Sequence, residues 1–483
     1  MRSMTRSDFL VGTLSTAALP TVGGFKNAQT ALDRYVAAPD PSYGYRLMST
    51  FKGRGFQAYL LEVTSQRWRA SSEVNEPIWT HWLTIVEPDE VRTTVGMLVI
   101  AGGANTDPPP GRADALLVTL ALDTHAVSSG LQQVPNQPLQ FSDEPGGLSE
   151  DDLIAYSWLK FLRSGDETWP LRLPMTKAVV RAMDTITAFC SRRGSTVDRF
   201  IVGGASKRGW TSWTTAAADK RVAAFVPVVA DVLDMVPNIR HEYQCYGRWP
   251  RSLDSYVKFG IVKWFGTPQL RALAEIEDPY SYRSRYTMPK LIINAAGDDF
   301  FVPDSSQFYF ADLPPKKYLR YLPNTDHSLN GAQTSIADTI LAFCHSVVDG
   351  VPLPTMTWQF EGGDAIAVRA TAMPSMARMW EAADRNARDF RVEKIGKAFN
   401  YHDLRNGGDN TYVGRISPPQ RGWRAFFVEL TYPTETGHSF TMTTDVRVVP
   451  DVLPFPPPPV SRRDVGVAPA RLARLAAAGS SQD

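Results

Sequence analysis

Ser206 stands in Gly204-Ala205-Ser206-Lys207-Arg208-Gly209, directly after the apolar run Phe200-Ile201-Val202-Gly203. That order reads as a buried strand, a sharp turn with a serine at its tip, and a helix through Trp210 to Ala218. A serine so presented can attack an electrophilic carbon, and its cramped turn calls for small neighbours. Gly204, two residues before the serine, meets that need. Arg208 occupies the position two after it, and the glycine comes one residue later, at Gly209. The hexapeptide alone also fits a serine that merely caps a helix.

A hydroxyl becomes an effective nucleophile only beside a base, and the base needs a carboxylate to fix its tautomer and orientation. Asp298 and Asp299 follow the strand-like run Lys290 to Asn294, through Ala295-Ala296-Gly297. His327 follows the next such run, Tyr318 to Leu322. Both lie just past the carboxyl end of an expected strand, where open α/β sheets bind ligands. The chain order serine, acid, histidine is that of the α/β-hydrolases. The spacing Asp299-Phe300-Phe301-Val302-Pro303 resembles hydrolase acid loops and favours Asp299 as the acid, with Asp298 as the alternative. A developing oxyanion needs donors fixed in advance. The backbone N–H of Lys207 and one from Gly102-Gly103-Ala104, centred on Gly103, are the expected pair. The side chains of Lys207 and Arg208 could bind an acidic substrate group or support the oxyanion; for Arg208 a salt bridge under a cap is expected. Asp304 and Asp326 read as loop residues. His345 sits within the last helix of this region, and His81, His125, His241, His402 and His438 lack a comparable placement.

The elements that must carry these residues alternate. Val95 to Ile100 reads as a strand, Ala113 to His125 as a helix, and Val127 to Val134 as a strand. Helical spacing follows at Asp151 to Leu162 and Lys177 to Cys190, with Thr168 to Met175 as a loop holding two prolines. Phe200 to Gly203 and Val222 to Val229 flank the serine helix, and a last helix covers Ser335 to Val348. Such alternation implies a mostly parallel sheet with helices on both faces. Residues 231–286 break the rhythm with mixed aromatics, charges and prolines, which predicts a cap inserted over the sheet edge. The expected organisation is therefore an α/β-hydrolase domain over residues 30–350 and a small β-sandwich over 355–450. Pro374 to Phe390 is the one place in the latter with room for a short helix, and residues 451–483 read as an extended, mobile tail.

Composition narrows the function. Lysine and arginine number 51 against 50 acidic residues, for a net charge of +1, so no electrostatic case exists for nucleic acid as a partner. The expected partner is a small-molecule or peptide substrate. Three widely separated cysteines, Cys190, Cys245 and Cys344, form no CxxC pair or Cys/His cluster, so neither a disulfide framework nor a zinc site is expected, and no cofactor is called for. Arg2 and Arg6 precede an apolar, small-residue run ending near Gly23-Gly24, which predicts an export signal over residues 1–24. Thr5-Arg6-Ser7-Asp8-Phe9-Leu10 is similar to a twin-arginine signal, with Ser7 in place of the second arginine, so the route stays open between that and the general one. The rest of the chain has no run of about 18 apolar residues of the kind a transmembrane helix requires.

Several strings together resemble the PhoPQ-activated pathogenicity-related protein family, from about residue 30 to 450. They are Gly204 to Thr211, Gln133 to Leu139, Asp152 to Tyr156, Leu173 to Lys177, Pro289 to Asn294, Gly297 to Phe301, and Pro323-Asn324 with His327. The resemblance implies a hydrolase-like core and export, and the family carries an acidic pair where Asp298 and Asp299 stand. The serine-basic-x-glycine string is more loosely similar to the turn of glucuronoyl esterases, where the basic residue assists the oxyanion. The leading expectation is an exported serine hydrolase cleaving an ester or amide through an acyl-enzyme on Ser206. The alternative is a secreted binding or signalling protein on an idle hydrolase fold. A third reading, on Trp249 and Trp264, has an aromatic cap taking a carbohydrate-linked ester.

Overall fold

The runs around Phe200 and Leu291 are apolar at every position because both faces of their sheet are covered. Phe200 and Val202 pack into one core cluster and Ile201 into another; Ile292 sides with the first, Leu291 and Ile293 with the second. Successive strand residues point to opposite faces, so an unbroken apolar run is what a doubly covered strand demands. The computed structural model describes residues 29–459. The expected export segment and the tail beyond residue 459 lie outside the described residues.

After helix α1 (Ala31–Ala37), the strands β1 (Gly44–Gly53), β2 (Phe56–Arg67), β3 (Ile78–Pro88), β4 (Val95–Ile100) and β5 (Ser128–Leu131) follow, with α2 (Ala115–Thr124) between the last two. A short hairpin, β6 (Leu139–Phe141) and β7 (Glu144–Leu148), leads to α3 (Glu150–Ser164) and α4 (Arg172–Ser191). Then come β8 (Arg199–Ala205), α5 (Lys207–Ala218) and β9 (Val222–Val228). The main sheet has nine strands in the order β1-β2-β3-β5-β4-β8-β9-β10-β11, closed by β10 (Lys290–Ala295) and β11 (Lys317–Leu322). From β5 onward all neighbours are parallel, and helix α9 (Gln333–Val348) follows. This is the α/β-hydrolase core. Its chain reverses direction across the sheet between β4 and β8, which puts the loop after β4 beside the serine turn after β8. The three leading antiparallel strands lie before the region where the sequence shows its helix–strand rhythm.

Between β9 and β10 sit α6 (Met235–Tyr246), α7 (Asp254–Lys258) and α8 (Pro268–Glu277), linked by single-turn helices, where a cap was expected. Helix α4 starts earlier than its sequence suggests and includes Pro174. A proline in a first helical turn costs no internal hydrogen bond, since those N–H groups have no carbonyl to reach.

The chain ends in antiparallel sheets. β12 (Met356–Glu361), β13 (Ala365–Ala370) and, later in the chain, β16 form one of three strands. The other, of five strands, contains β14 (Met376–Asp384), β15 (Asn400–Asp403), β17, β18 and β19, with a short helix α10 (Val392–Ile395) between β14 and β15. The remaining bounds are β16 (Thr411–Arg415), β17 (Trp423–Pro433), β18 (Ser439–Thr443) and β19 (Arg447–Val449). The two sheets face each other closely: a Cβ on Gly414 would lie 3.0 Å from Met379 Sδ and from Val428 Cγ2. Residues 374–390, where the sequence left room for a short helix, instead carry β14, paired with β17 along its whole length. Ala377 and Met379 point to one face and pack into one core cluster, Ala382 points to the other face and packs into the second, and the pairing overrides the helix propensity of alanine and methionine.

These sheets are bound to the hydrolase core by polar contacts as well as packing. Tyr321 N–H donates to Thr443 Oγ1 at 2.9 Å, and Ser306 Oγ donates to Asp445 at 2.7 Å. Arg388 donates to buried Asp304 at 2.6 Å. Burial opposes the charge on Asp304, yet Arg388 and His241 hold its carboxyl far below the ordinary range. Residues 451–459 run back across the cap, where Phe455 N–H donates to the Gln244 carbonyl at 3.1 Å and the Phe455 ring covers Gly247. Removing Arg388 would strand the Asp304 charge in the interior. Arg388→Ala should therefore cost about 3–5 kcal/mol in denaturant unfolding, whereas Arg415→Ala, at an exposed ion pair, should leave the midpoint nearly unchanged.

Candidate active site

Ser206 is the N-cap of α5 and adopts φ 56° and ψ −125°, a conformation rare outside glycine. Its own N–H donates to the Val228 carbonyl on β9 at 2.8 Å, which ties the turn to the sheet. The glycines around it are dictated by space. A Cβ on Gly204 would lie 2.9 Å from Arg208 Cβ, so the small residue before the serine makes room for the large one after it. A Cβ on Gly209 would lie 2.8 Å from the Val228 carbonyl oxygen and 2.9 Å from that of Gly204. The displaced glycine is thus the residue that lets α5 sit against β8 and β9.

His327, in the loop after β11, reaches the serine. Its Nε2 is 2.9 Å from Ser206 Oγ, and its Nδ1 is 3.0 Å from both carboxylate oxygens of Asp298. Here the preference for Asp299 is corrected: Asp298 points inward to the ring, while Asp299, among the described residues, accepts only the His327 backbone N–H, at 3.4 Å. Adjacent residues in the loop diverge, and Asp298 is the one buried beneath the imidazole. Phe300 lies against the His327 ring with centroids 4.3 Å apart. Burial disfavours the imidazolium, but the charge and hydrogen bond of Asp298 outweigh it and raise His327 above its ordinary value.

Both loops are held by the C-terminal region. Val392 N–H donates to the Gly297 carbonyl at 3.0 Å, and a Cβ on Gly297 would lie 2.6 Å from Val392 Cγ2. Asn324 and Phe399 exchange two hydrogen bonds of 2.9 Å. Beneath the site, Asp231 accepts from Tyr309 and Tyr321, and burial pushes its carboxyl up to about 7.

The basic pair after the serine is committed to acids. Arg208 forks onto Glu150 at 2.6 and 2.9 Å, as the expected salt bridge under the cap, and its Nε donates to the Val134 carbonyl. Lys207 Nζ lies 2.7 Å from Asp151 and 3.3 Å from Glu150. Burial works against the Glu150 charge, but Arg208, with Lys207, holds it at about 2. Fully buried Arg172 donates to the Lys207 carbonyl at 2.7 Å and packs over Trp210, with Glu277 as its counter-ion. As the first residue of α5, Lys207 has a backbone N–H with no carbonyl to reach inside the helix. The register of β4 on β8 sets Ile100 beside Gly204, bringing the Gly102-Gly103 loop alongside the turn. Gly103 has φ 125°, and a Cβ there would lie 2.9 Å from Asp107 Oδ2.

A pocket opens over Ser206 and Lys207, walled mainly by apolar side chains of the cap and acid loop, including Val232, Met235, Ile239, Phe265, Phe300 and Phe301. Glu242 also lines it, with Oε1 lacking a partner among the described residues; burial holds its carboxyl well above the usual range. Trp249 packs against Tyr243 and Phe265, and Trp264 is buried; neither lines the pocket. All three cysteines are buried free thiols. Glu150, Glu242 and Asp231 escaped the sequence reading because no spacing links them to the serine. Asn324 lies in the string Pro323-Asn324 beside His327, but its partner lies 75 residues away.

The raised imidazole sets a pH dependence. His327 can accept the serine proton only when neutral, so reaction of Ser206 with a fluorophosphonate should fall as pH drops through a value above 6.5. Asp298→Asn removes the opposing charge while burial remains. It should move that limb to lower pH and slow the reaction by roughly 10²–10⁴-fold. Asp299→Asn should shift the limb far less.

The family model described as PhoPQ-activated pathogenicity-related protein matches residues 32–391. A relative named Autocrine proliferation repressor protein A, from Dictyostelium discoideum, is 38% identical over 453 residues, covering 88% of this chain and 92% of its own. Among solved structures, an acetyl xylan esterase from Paenibacillus sp. R4 superposes with a TM-score of 0.47 at 15% identity, covering 65% of this chain and 92% of that one. A glucuronoyl esterase from Solibacter usitatus gives 0.40 at 12% identity, covering 66% and 91%.

Proposed function

This chain belongs to the PhoPQ-activated pathogenicity-related protein family, and from that premise we propose that it is an exported serine hydrolase acting on esters or amides with an apolar group beside the scissile carbonyl. The observation that carries the reading is the single imidazole bonded to Ser206 Oγ on one nitrogen and to Asp298 on the other. Ser206 Oγ attacks the carbonyl carbon as its proton passes to His327 Nε2. The imidazolium is stabilised by Asp298. The carbonyl oxygen takes the negative charge and is met by the Lys207 N–H and by the Gly103 loop. The tetrahedral centre collapses as His327 returns the proton to the leaving oxygen or nitrogen. Water then repeats the sequence on the acyl-serine and regenerates the hydroxyl.

The pocket supplies the substrate preference. Its walls are mainly apolar, and the charge of Lys207 is met by Asp151, so burial of an apolar acyl or leaving group is the main gain on binding. A fluorophosphonate probe should label wild type at Ser206 and leave Ser206→Ala unlabelled. An unlabelled wild type that also turns over no ester or peptide in a broad panel would contradict the reading.

Export enters through residues 1–24. Mass spectrometry of protein recovered outside the producing cell should find an N-terminus near residue 25; retention inside the cell with Met1 intact would refute it. The name of the Dictyostelium relative favours a second reading, a secreted signal that does not need turnover. In that case Ser206→Ala would abolish labelling and leave the biological effect intact.

A further inference from the structure

Asp123, His345 and His438 come from three distant parts of the chain and converge away from the serine. Asp123 is at the end of α2, His345 on the last turns of α9, and His438 in the turn before β18. His345 Nε2 is 2.7 Å from Asp123 Oδ1, and His438 Nε2 is 3.0 Å from the same oxygen. The three candidate ligand atoms lie within 4.8 Å of one another. The rings stack with centroids 5.9 Å apart, and their side chains are only 15% and 17% exposed. We propose that this cluster is a divalent transition-metal site, best suited to zinc, that ties the C-terminal sheets to the helices of the hydrolase core.

The far nitrogens of the rings carry the argument. His345 Nδ1 is 3.0 Å from Asp349, and His438 Nδ1 is 3.0 Å from Asp338. A carboxylate on the outer nitrogen fixes the imidazole tautomer so that the inner nitrogen presents its lone pair, which is the usual support of a metal-bound histidine. A neutral imidazole has one N–H and therefore cannot donate at both nitrogens. Carboxylates at all four ring nitrogens thus require either two protons at the inner position, carried by the rings or by Asp123, or a cation there. A divalent ion in place of the two inner protons leaves the net charge of the cluster unchanged. It also relieves the repulsion between two stacked positive rings. Two imidazole nitrogens and one carboxylate oxygen are a donor set that suits zinc, with a fourth position open to water. Tetrahedral ligands around zinc stand about 3.3 Å apart, close to the 2.7 and 3.0 Å from Asp123 Oδ1 to the two nitrogens; the two nitrogens themselves, within 4.8 Å of each other, would close around the ion. No short spacing joins residues 123, 345 and 438, so the cluster has no local sequence signature.

Full-length protein stripped with a chelator and titrated with Zn²⁺ by calorimetry should bind one ion per chain. His345→Ala and His438→Ala should each weaken binding by about 100-fold or more, while His402→Ala, at an exposed histidine paired with Glu381, should not. Absence of stoichiometric binding, or binding that survives both substitutions, would overturn the proposal. A second measurement needs no variant: diethyl pyrocarbonate modification mapped by peptide mass. Zinc should protect His345 and His438 and leave His402 reactive. Equal modification with and without zinc would also overturn it.

Discussion

One imidazole must touch two partners carried by two other loops. His327 bonds Ser206 at 2.9 Å and Asp298 at 3.0 Å, and those three residues come from the ends of β8, β10 and β11. Hydrogen bonds weaken steeply with misdirection, so the loops cannot wander independently. Much of the architecture follows from that tolerance. The parallel sheet sets the strand ends side by side. The strained Ser206 turn lifts the hydroxyl toward the histidine, and the hydrogen bond to Val228 stops it relaxing. The C-terminal region completes the restraint through Val392 on the acid loop and Phe399 on the histidine loop. The C-terminal sheets and their loops are thereby part of the site's support, although none of their described residues lines the pocket.

The electrostatic design separates charge that must stay fixed from charge that must move. Lys207 and Arg208 flank the serine, yet both are engaged by Glu150 and Asp151, and Arg172 is balanced by Glu277. Cations left free so close to His327 would disfavour its protonation. Pairing them leaves burial, which opposes the imidazolium, to be outweighed by the charge and hydrogen bond of Asp298 together. With their charges so paired, the basic residues leave the pocket wall largely apolar.

The sequence revealed the sheet, the turn and the chain order of the reactive residues because each leaves a local mark. A doubly covered strand is uniformly apolar, and a serine turn needs its glycine. It could not separate Asp298 from Asp299, since both lie in one loop and only the backbone path decides which carboxylate turns inward. The strand at Met376–Asp384 was hidden because its alanines and methionines suit a helix, and pairing with β17 decided otherwise. The clamps, the Glu150 fork and the convergence on Asp123 all join residues far apart in the chain. Contacts of that kind follow from the fold and have no signature in any short window.

The structure of the protein reacted with an aryl phosphonate ester would test the central claim most directly, since the adduct mimics the tetrahedral centre. The expected result is phosphorus bonded to Ser206 Oγ, a phosphoryl oxygen at the Lys207 N–H, His327 still bonded to Asp298, and the substituent in the apolar pocket. Phosphorus on another residue, or a Ser206 left unmodified by a reagent that enters the pocket, would contradict it.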